Sequence, residues 1–266
     1  MLAVLLASRA AGAADVCPRG NDPAAGPLAG GIGPADFGAV PEACAATDAS
    51  LRLRAELGLA STAPDYDRRF IGAATLRGRY QLGERSTVSF AADAFNYRYV
   101  DTGGLASQVV SAGPASVAFH QMFVVGAETA MSLYARVLLP LDSARQNGVA
   151  TGLELGSSLR MSAGARWVID GGVALTAPAE ITGGQTQVRF EPAALAEAWL
   201  RLRPGLALCG GVAVARAFDL ITVVPRLGAR FTVRRRVWAA ALLEFPVAGS
   251  DRTDLIAGLF AGYTPD

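Results

Sequence analysis

Lysine is absent from the 266 residues: all 24 basic side chains are arginine. A Gly-x-x-x-x-Gly-Lys phosphate loop is therefore excluded. One histidine, His120, and three cysteines provide no cluster with zinc-ligand spacing, so no metal and no cofactor is expected. Charged residues make up 18% of the chain, below the roughly 25% of an ordinary soluble domain. The net charge of +1 lacks the basic excess of a nucleic-acid binder, and no nucleic-acid partner is expected. Long apolar runs are missing as well. A membrane helix needs roughly 20 consecutive apolar residues, whereas the long stretch without Asp, Glu or Arg from Gly103 to Ala127 is interrupted by Ser107, Gln108, Ser111, Pro114, His120 and Gln121.

What remains is 52% hydrophobic and carries 30 glycines. Apolar composition without a membrane helix leaves one spanning architecture, a closed β-barrel, because backbone groups in lipid must be paired internally. A soluble, secreted β-rich binding protein is the competing reading.

Met1 to Ala14 reads as a secretory signal peptide, with the apolar core Leu2, Ala3, Val4, Leu5, Leu6 followed by the small residues Ala10 to Ala14, although no basic residue precedes the core. Residues 15–49 form a Pro/Gly-rich segment. Cys17 and Cys44 bracket five prolines and six glycines, a composition unsuited to regular elements. Two readings stand: a loop closed by a Cys17–Cys44 disulfide in an oxidising compartment, or two separate thiols in a flexible tail. That segment reads either as a periplasmic tail or as a plug threaded into a barrel. Cys209 lies within a strand as a small packing residue.

From residue 50 to 266 the period is two, as strands with different solvents on their two faces require. Leu51, Leu53, Ala55, Leu57 and Leu59 alternate with Arg52, Arg54, Glu56 and Gly58. The same parity recurs around Met131 to Leu139, Leu153 to Met161, Trp167 to Leu175 and Leu227 to Val233. Twelve such segments are expected, near 50–60, 69–82, 86–99, 114–125, 128–141, 148–161, 165–176, 193–203, 205–217, 221–233, 236–247 and 253–264. Their connections alternate between short turns and longer loops, Val100 to Gly113 and Ala177 to Pro192 among the latter. Tyr80, Trp167, Phe231 and Tyr263 share the outward parity near the short-turn ends and read as one aromatic girdle.

On these features residues 50–266 resemble a Gram-negative outer-membrane β-barrel of the porin-like type, all-β, antiparallel and up-and-down with about twelve strands. The resemblance implies transport through the bacterial outer membrane, with the short turns periplasmic and with membrane lipid, the insertion machinery and small solutes as partners. In that class the final strand commonly ends in an aromatic that the insertion machinery recognises; here Tyr263 is followed by Thr264, Pro265 and Asp266.

Inward parity assigns to the lumen Arg52, Arg54, Arg77, Arg79, Arg136, Arg160, Arg166, Arg201, Arg226 and Arg230 against Glu56, Asp93, Glu154, Asp170, Glu197 and Glu244. Ten arginines facing six carboxylates point either to an aqueous passage with a weak anion preference or to cross-strand ion pairs that close the lumen, leaving a structural or surface-interaction barrel. Tyr134, Trp199 and Trp238 also face inward. No enzymatic chemistry is expected. His120 lies beside Gln121 in the one strand whose parity fails, and no serine motif accompanies it.

Overall fold

The computed structural model describes residues 17, 43–44, 47–59, 68–113, 115–139, 149–182, 185–217, 220–234, 236–248 and 254–264. The expected signal peptide, residues 1–14, lies outside them. The strands are β1 (Asp48–Leu59), β2 (Arg68–Gly83), β3 (Ser86–Thr102), β4 (Leu105–Ser111), β5 (Ala115–Val125), β6 (Thr129–Leu139), β7 (Val149–Ala163), β8 (Trp167–Thr182), β9 (Gln185–Val188), β10 (Glu191–Arg203), β11 (Leu206–Ala217), β12 (Leu220–Arg234), β13 (Val237–Glu244) and β14 (Leu255–Tyr263). Neighbours pair antiparallel in chain order, and β14 returns to β1 from Ala49↔Tyr263 to Leu57↔Leu255, which closes the barrel.

Fourteen strands make twelve staves. The pairing of β3 runs in a single register from Thr102↔Leu105 on β4 to Ser86↔Gln121 on β5. The stave is broken only around Gly113, whose N–H still donates to the Asp93 carbonyl at 2.9 Å. In the same way β9 and β10 share one register along β8, from Thr182↔Gln185 to Leu200↔Trp167. The expected loops at Val100 to Gly113 and Ala177 to Pro192 are therefore hairpins, because β3 and β8 continue past the wall and their return strands stay paired. At the first tip Gly103 and Gly104 have φ of +58° and +83°, the two left-handed residues that a tight hairpin turn of matching twist requires.

The short connections, at 84–85, 126–128, 164–166 and 204–205, lie at one end together with the start of β1 and the finish of β14. The other end carries the longer connections and the two hairpins. One bulge shifts the parity of β3: Thr75 pairs with Asp93 and Ala73 with Asn96, so two residues three apart both face inward.

The distribution of side chains is the reverse of a soluble domain. Leu53, Leu155 and Val173 are 50%, 53% and 56% exposed, whereas Arg52 and Glu154 have no solvent contact. The apolar residues of alternate positions cover the outer wall, far more contiguous apolar surface than a water-soluble monomer carries. Tyr80, Trp167, Phe231 and Tyr263 are all exposed on that wall near the short-turn end. Phe70 and Tyr97, with ring centroids 6.0 Å apart, stand on the same wall toward the other end.

Candidate functional site

The register sets out the inner face rung by rung. Glu244, Arg226, Gly211, Glu197, Asp170 and Arg160 are successive cross-strand partners on β13, β12, β11, β10, β8 and β7. Arg226 donates through Nη1 to Glu197 Oε1 at 2.8 Å and through Nη2 to Glu244 Oε1. Arg160 Nη1 donates to Asp170 Oδ2 at 3.0 Å. Glu197 and Asp170 stand directly opposite each other, a like-charge juxtaposition that is unfavourable by itself. Each is compensated by the arginine on its other side.

A second rung runs Asp48, Arg79, Ser89, Ala118, Arg136, Glu154 and Thr176 over β1, β2, β3, β5, β6, β7 and β8. Arg136 and Glu154 form an ion pair of 2.9 Å. Glu154 also accepts hydrogen bonds from Tyr134 Oη and Thr176 Oγ1, each at 2.9 Å. Arg79 donates to Asp48, Arg54 pairs with Glu56 at 2.6 Å, and Thr75 donates to Asp93 at 2.6 Å. Buried charges are costly unless paired, and these networks supply the pairing. Two arginines also lie over aromatic rings: Arg52 is 5.3 Å from the Phe260 centroid and Arg230 4.0 Å from that of Trp238, within cation–π range.

Of the residues that parity assigned to the lumen, Arg52, Arg54, Asp93, Arg136, Glu154, Arg160, Asp170, Glu197, Arg226, Arg230 and Glu244 are buried on the inner face, and Glu56, Arg77, Arg79 and Arg201 are half-buried there. Arg166 is elsewhere: it is exposed in the 164–166 turn, because β8 begins only at Trp167. Nine arginines then stand against six carboxylates in that set. Tyr134, Trp199 and Trp238 are buried on the inner face as their parity predicts.

Beyond Trp199 and Trp238, parity did not find the apolar half of the interior. Val168, Trp199, Ala207, Cys209, Trp238, Ala240, Leu242 and Phe260 form one buried inner cluster, and Leu195, Ala213, Ala215 and Val224 a second. Both lie mainly on β10 to β14. The signal was the near-absence of polar residues at either parity in β13 and β14, VWAAALLE and LIAGLFAGY. The rings need glycine beside them: a Cβ on Gly262 would stand inside the Trp238 indole, and one on Gly156 would collide with the Tyr134 ring.

Solvent contact within the barrel is uneven. Among the described residues all five inner side chains of β6, Ala130, Ser132, Tyr134, Arg136 and Leu138, are buried. On β2 to β4 the inner face stays partly open, with Arg69, Arg77, Arg79, Ser89, Asn96 and Ser111 half-buried and Arg98 exposed. At the short-turn end Cys17 and Cys44 are joined in a disulfide with Cα atoms 5.5 Å apart. Ala43 is buried there against the inner residues Met122 and Ala130, with both cysteines packed on the same cluster.

The parity failure at His120 and Gln121 also resolves. His120 is buried on the inner face, while Gln121 is exposed and its Oε1 accepts from Ser86 Oγ at 2.8 Å. Ser89 Oγ lies 2.7 Å from His120 Nε2, a serine partner that local sequence did not reveal because it comes from a different strand.

No family model matches the sequence, and neither does any curated protein. Solved structures do match in fold. An outer membrane channel from Pseudomonas putida F1 superposes with a TM-score of 0.65 at 13% identity, over 88% of this chain and 100% of the other. The NanC porin gives 0.53 at 5% identity, over 83% and 100%. The KdgM porin in complex with disordered oligogalacturonate gives 0.53 at 7% identity, over 83% and 99%. These likenesses concern the fold: the chain is a closed, twelve-stave antiparallel β-barrel of the architecture found in outer-membrane channels and porins.

Proposed function

We propose that this protein is a passive channel of the Gram-negative outer membrane, delivered by its signal peptide and inserted by the outer-membrane machinery, with a narrow passage for small solutes and a weak preference for anions. The observation that carries the reading is the uneven interior. Solvent contact gathers on the β2 to β4 side, and the side chains there include Arg69, Arg77 and Arg98. Fixed positive charge in a low-dielectric tube focuses the field and raises the local concentration of anions. The fold likeness to channels supports the same reading.

A specific observation favours a second reading, a barrel with a closed lumen whose outer hairpins make surface contacts. Arg52, Glu154 and Trp199 have no solvent contact, so most of the bore is filled. Liposome swelling separates the two. Vesicles carrying the refolded protein are expected to swell in small monovalent organic anions faster than in neutral sugars of similar size. Swelling no faster than in empty vesicles, for every solute, removes the channel reading.

A further inference from the structure

Ser89 stands in the second rung without an ion pair of its own, and its hydroxyl meets His120, which belongs to neither rung. Register explains how the two meet: Ser89 pairs with Ala118 and Thr87 with His120, so Ser89 and His120 are diagonal neighbours on the inner face of β3 and β5. Ala118, directly opposite Ser89, offers only a methyl group and leaves the diagonal open. The imidazole is held from behind. It stacks on Tyr134, its register partner on β6, with centroids 5.6 Å apart and an interplanar angle of 26°. Tyr134 is itself anchored by its bond to Glu154 and by the Arg136 guanidinium 5.6 Å from its ring. Ser89 keeps partial solvent contact on the open side of the bore, whereas His120 does not. Arg79, which is ion-paired with Asp48, is the register partner of Ser89 on β2.

A serine with partial solvent contact, an imidazole nitrogen 2.7 Å from its hydroxyl and a ring held in place by stacking are parts of an activated nucleophile. We propose that Ser89 and His120 are a nucleophile and general base, and that the wall of the passage hydrolyses small carboxylic esters. With the imidazole proton on Nδ1, Nε2 takes the Ser89 proton as Oγ bonds to the ester carbonyl carbon. The C–O bond to the alcohol then breaks, and the departing oxygen receives that proton from Nε2. Water attacks the acyl-serine, giving one proton to Nε2, which returns it to Ser89 as the free acid leaves. The net change is ester plus water to acid plus alcohol. Hydrolysis here does not require conduction across the membrane.

The test is labelling of the refolded full chain in detergent micelles with a small fluorophosphonate, which forms an O–P bond to an activated serine and expels fluoride. One adduct is expected, mapped by mass spectrometry to Ser89 and absent in Ser89→Ala. It is expected to form about 100-fold more slowly in His120→Gln, since a general base contributes at least about that factor. Glutamine still accepts a hydrogen bond from Ser89, so a purely structural role for the histidine survives that change while proton transfer does not. Ser116→Ala, at another half-buried inner serine on β5, is expected to label at the wild-type rate. No adduct on Ser89, or an unchanged rate in a His120→Gln barrel that keeps its folded gel mobility, overturns the proposal.

Discussion

Arg226 and Glu197 are bonded at 2.8 Å although their strands do not touch: β12 and β10 flank β11, and the ion pair passes over Gly211. Because Arg226 also donates to Glu244, one guanidinium compensates two buried carboxylates. Removing one partner of a buried ion pair costs more than replacing the whole set, since the charges left behind are desolvated and uncompensated. Arg226→Met is expected to destabilise the barrel by about 3–5 kcal/mol, whereas the triple change Arg226→Met, Glu197→Gln, Glu244→Gln recovers most of the loss. Urea unfolding in lipid vesicles checks both; equal stability of the single and triple variants speaks against the network.

Gly211 is the condition for that bridge. A Cβ there would stand 2.8 Å from the Glu197 Cγ and 2.6 Å from the Ala196 carbonyl oxygen, which is backbone and has little freedom to yield. Gly211→Ala is expected to cost about 1–3 kcal/mol through overpacking, while Gly210→Ala, whose added methyl faces the outer wall 3.7 Å from Leu227, is expected to be much milder. The measurement is the difference in urea midpoint between the two.

The disulfide joins residues 27 apart at the short-turn end, where Ala43 and both cysteines pack on Met122 and Ala130. Cross-linking a loop of that length stabilises by on the order of 3–4 kcal/mol in the chain-entropy model. Cys17→Ser with Cys44→Ser is expected to loosen that packing and raise single-channel conductance, with the barrel still folded by gel mobility. A conductance equal to wild type would separate this contact from closure of the bore.

The lipid-facing assignment of the outer wall has its own check. Leu155→Arg, in the middle of β7 on the exposed face, is expected to cost about 2–4 kcal/mol in a bilayer. An unchanged folding free energy in vesicles would show that this position does not contact hydrocarbon.

How much was legible in the sequence follows from where polarity alternates. In β1, Arg52 and Arg54 between Leu51, Leu53 and Ala55 fix the inner face at once, and the structure agrees to the residue. In β13 and β14, Trp238 inward and Tyr263 outward follow the expected parity, but the inward Leu242 and Phe260 are as apolar as the outward Leu243 and Leu259, so polarity does not mark the inner face there. The two hairpins were illegible for another reason. Gly103-Gly104 announces a turn, but only pairing across β3 tells that its flanks remain strand. Arg166 carried the correct parity and the wrong address, since alternation does not say where a strand begins. Ser89 and His120 are 31 residues apart, and only the register of β3 on β5 brings them together. Solvent contact also changes which arginines bear on selectivity: Arg136 and Arg226, prominent by parity, are buried, whereas Arg77 and Arg98 lie on the side that keeps solvent contact.

The most direct test of the channel is the zero-current potential of the refolded full chain in a planar bilayer under a tenfold KCl gradient. Small discrete steps with a reversal potential on the chloride side of zero are expected, shifting toward zero in Arg77→Ser with Arg98→Ser. Membranes that stay at leak conductance, with protein folded by gel mobility, contradict the account.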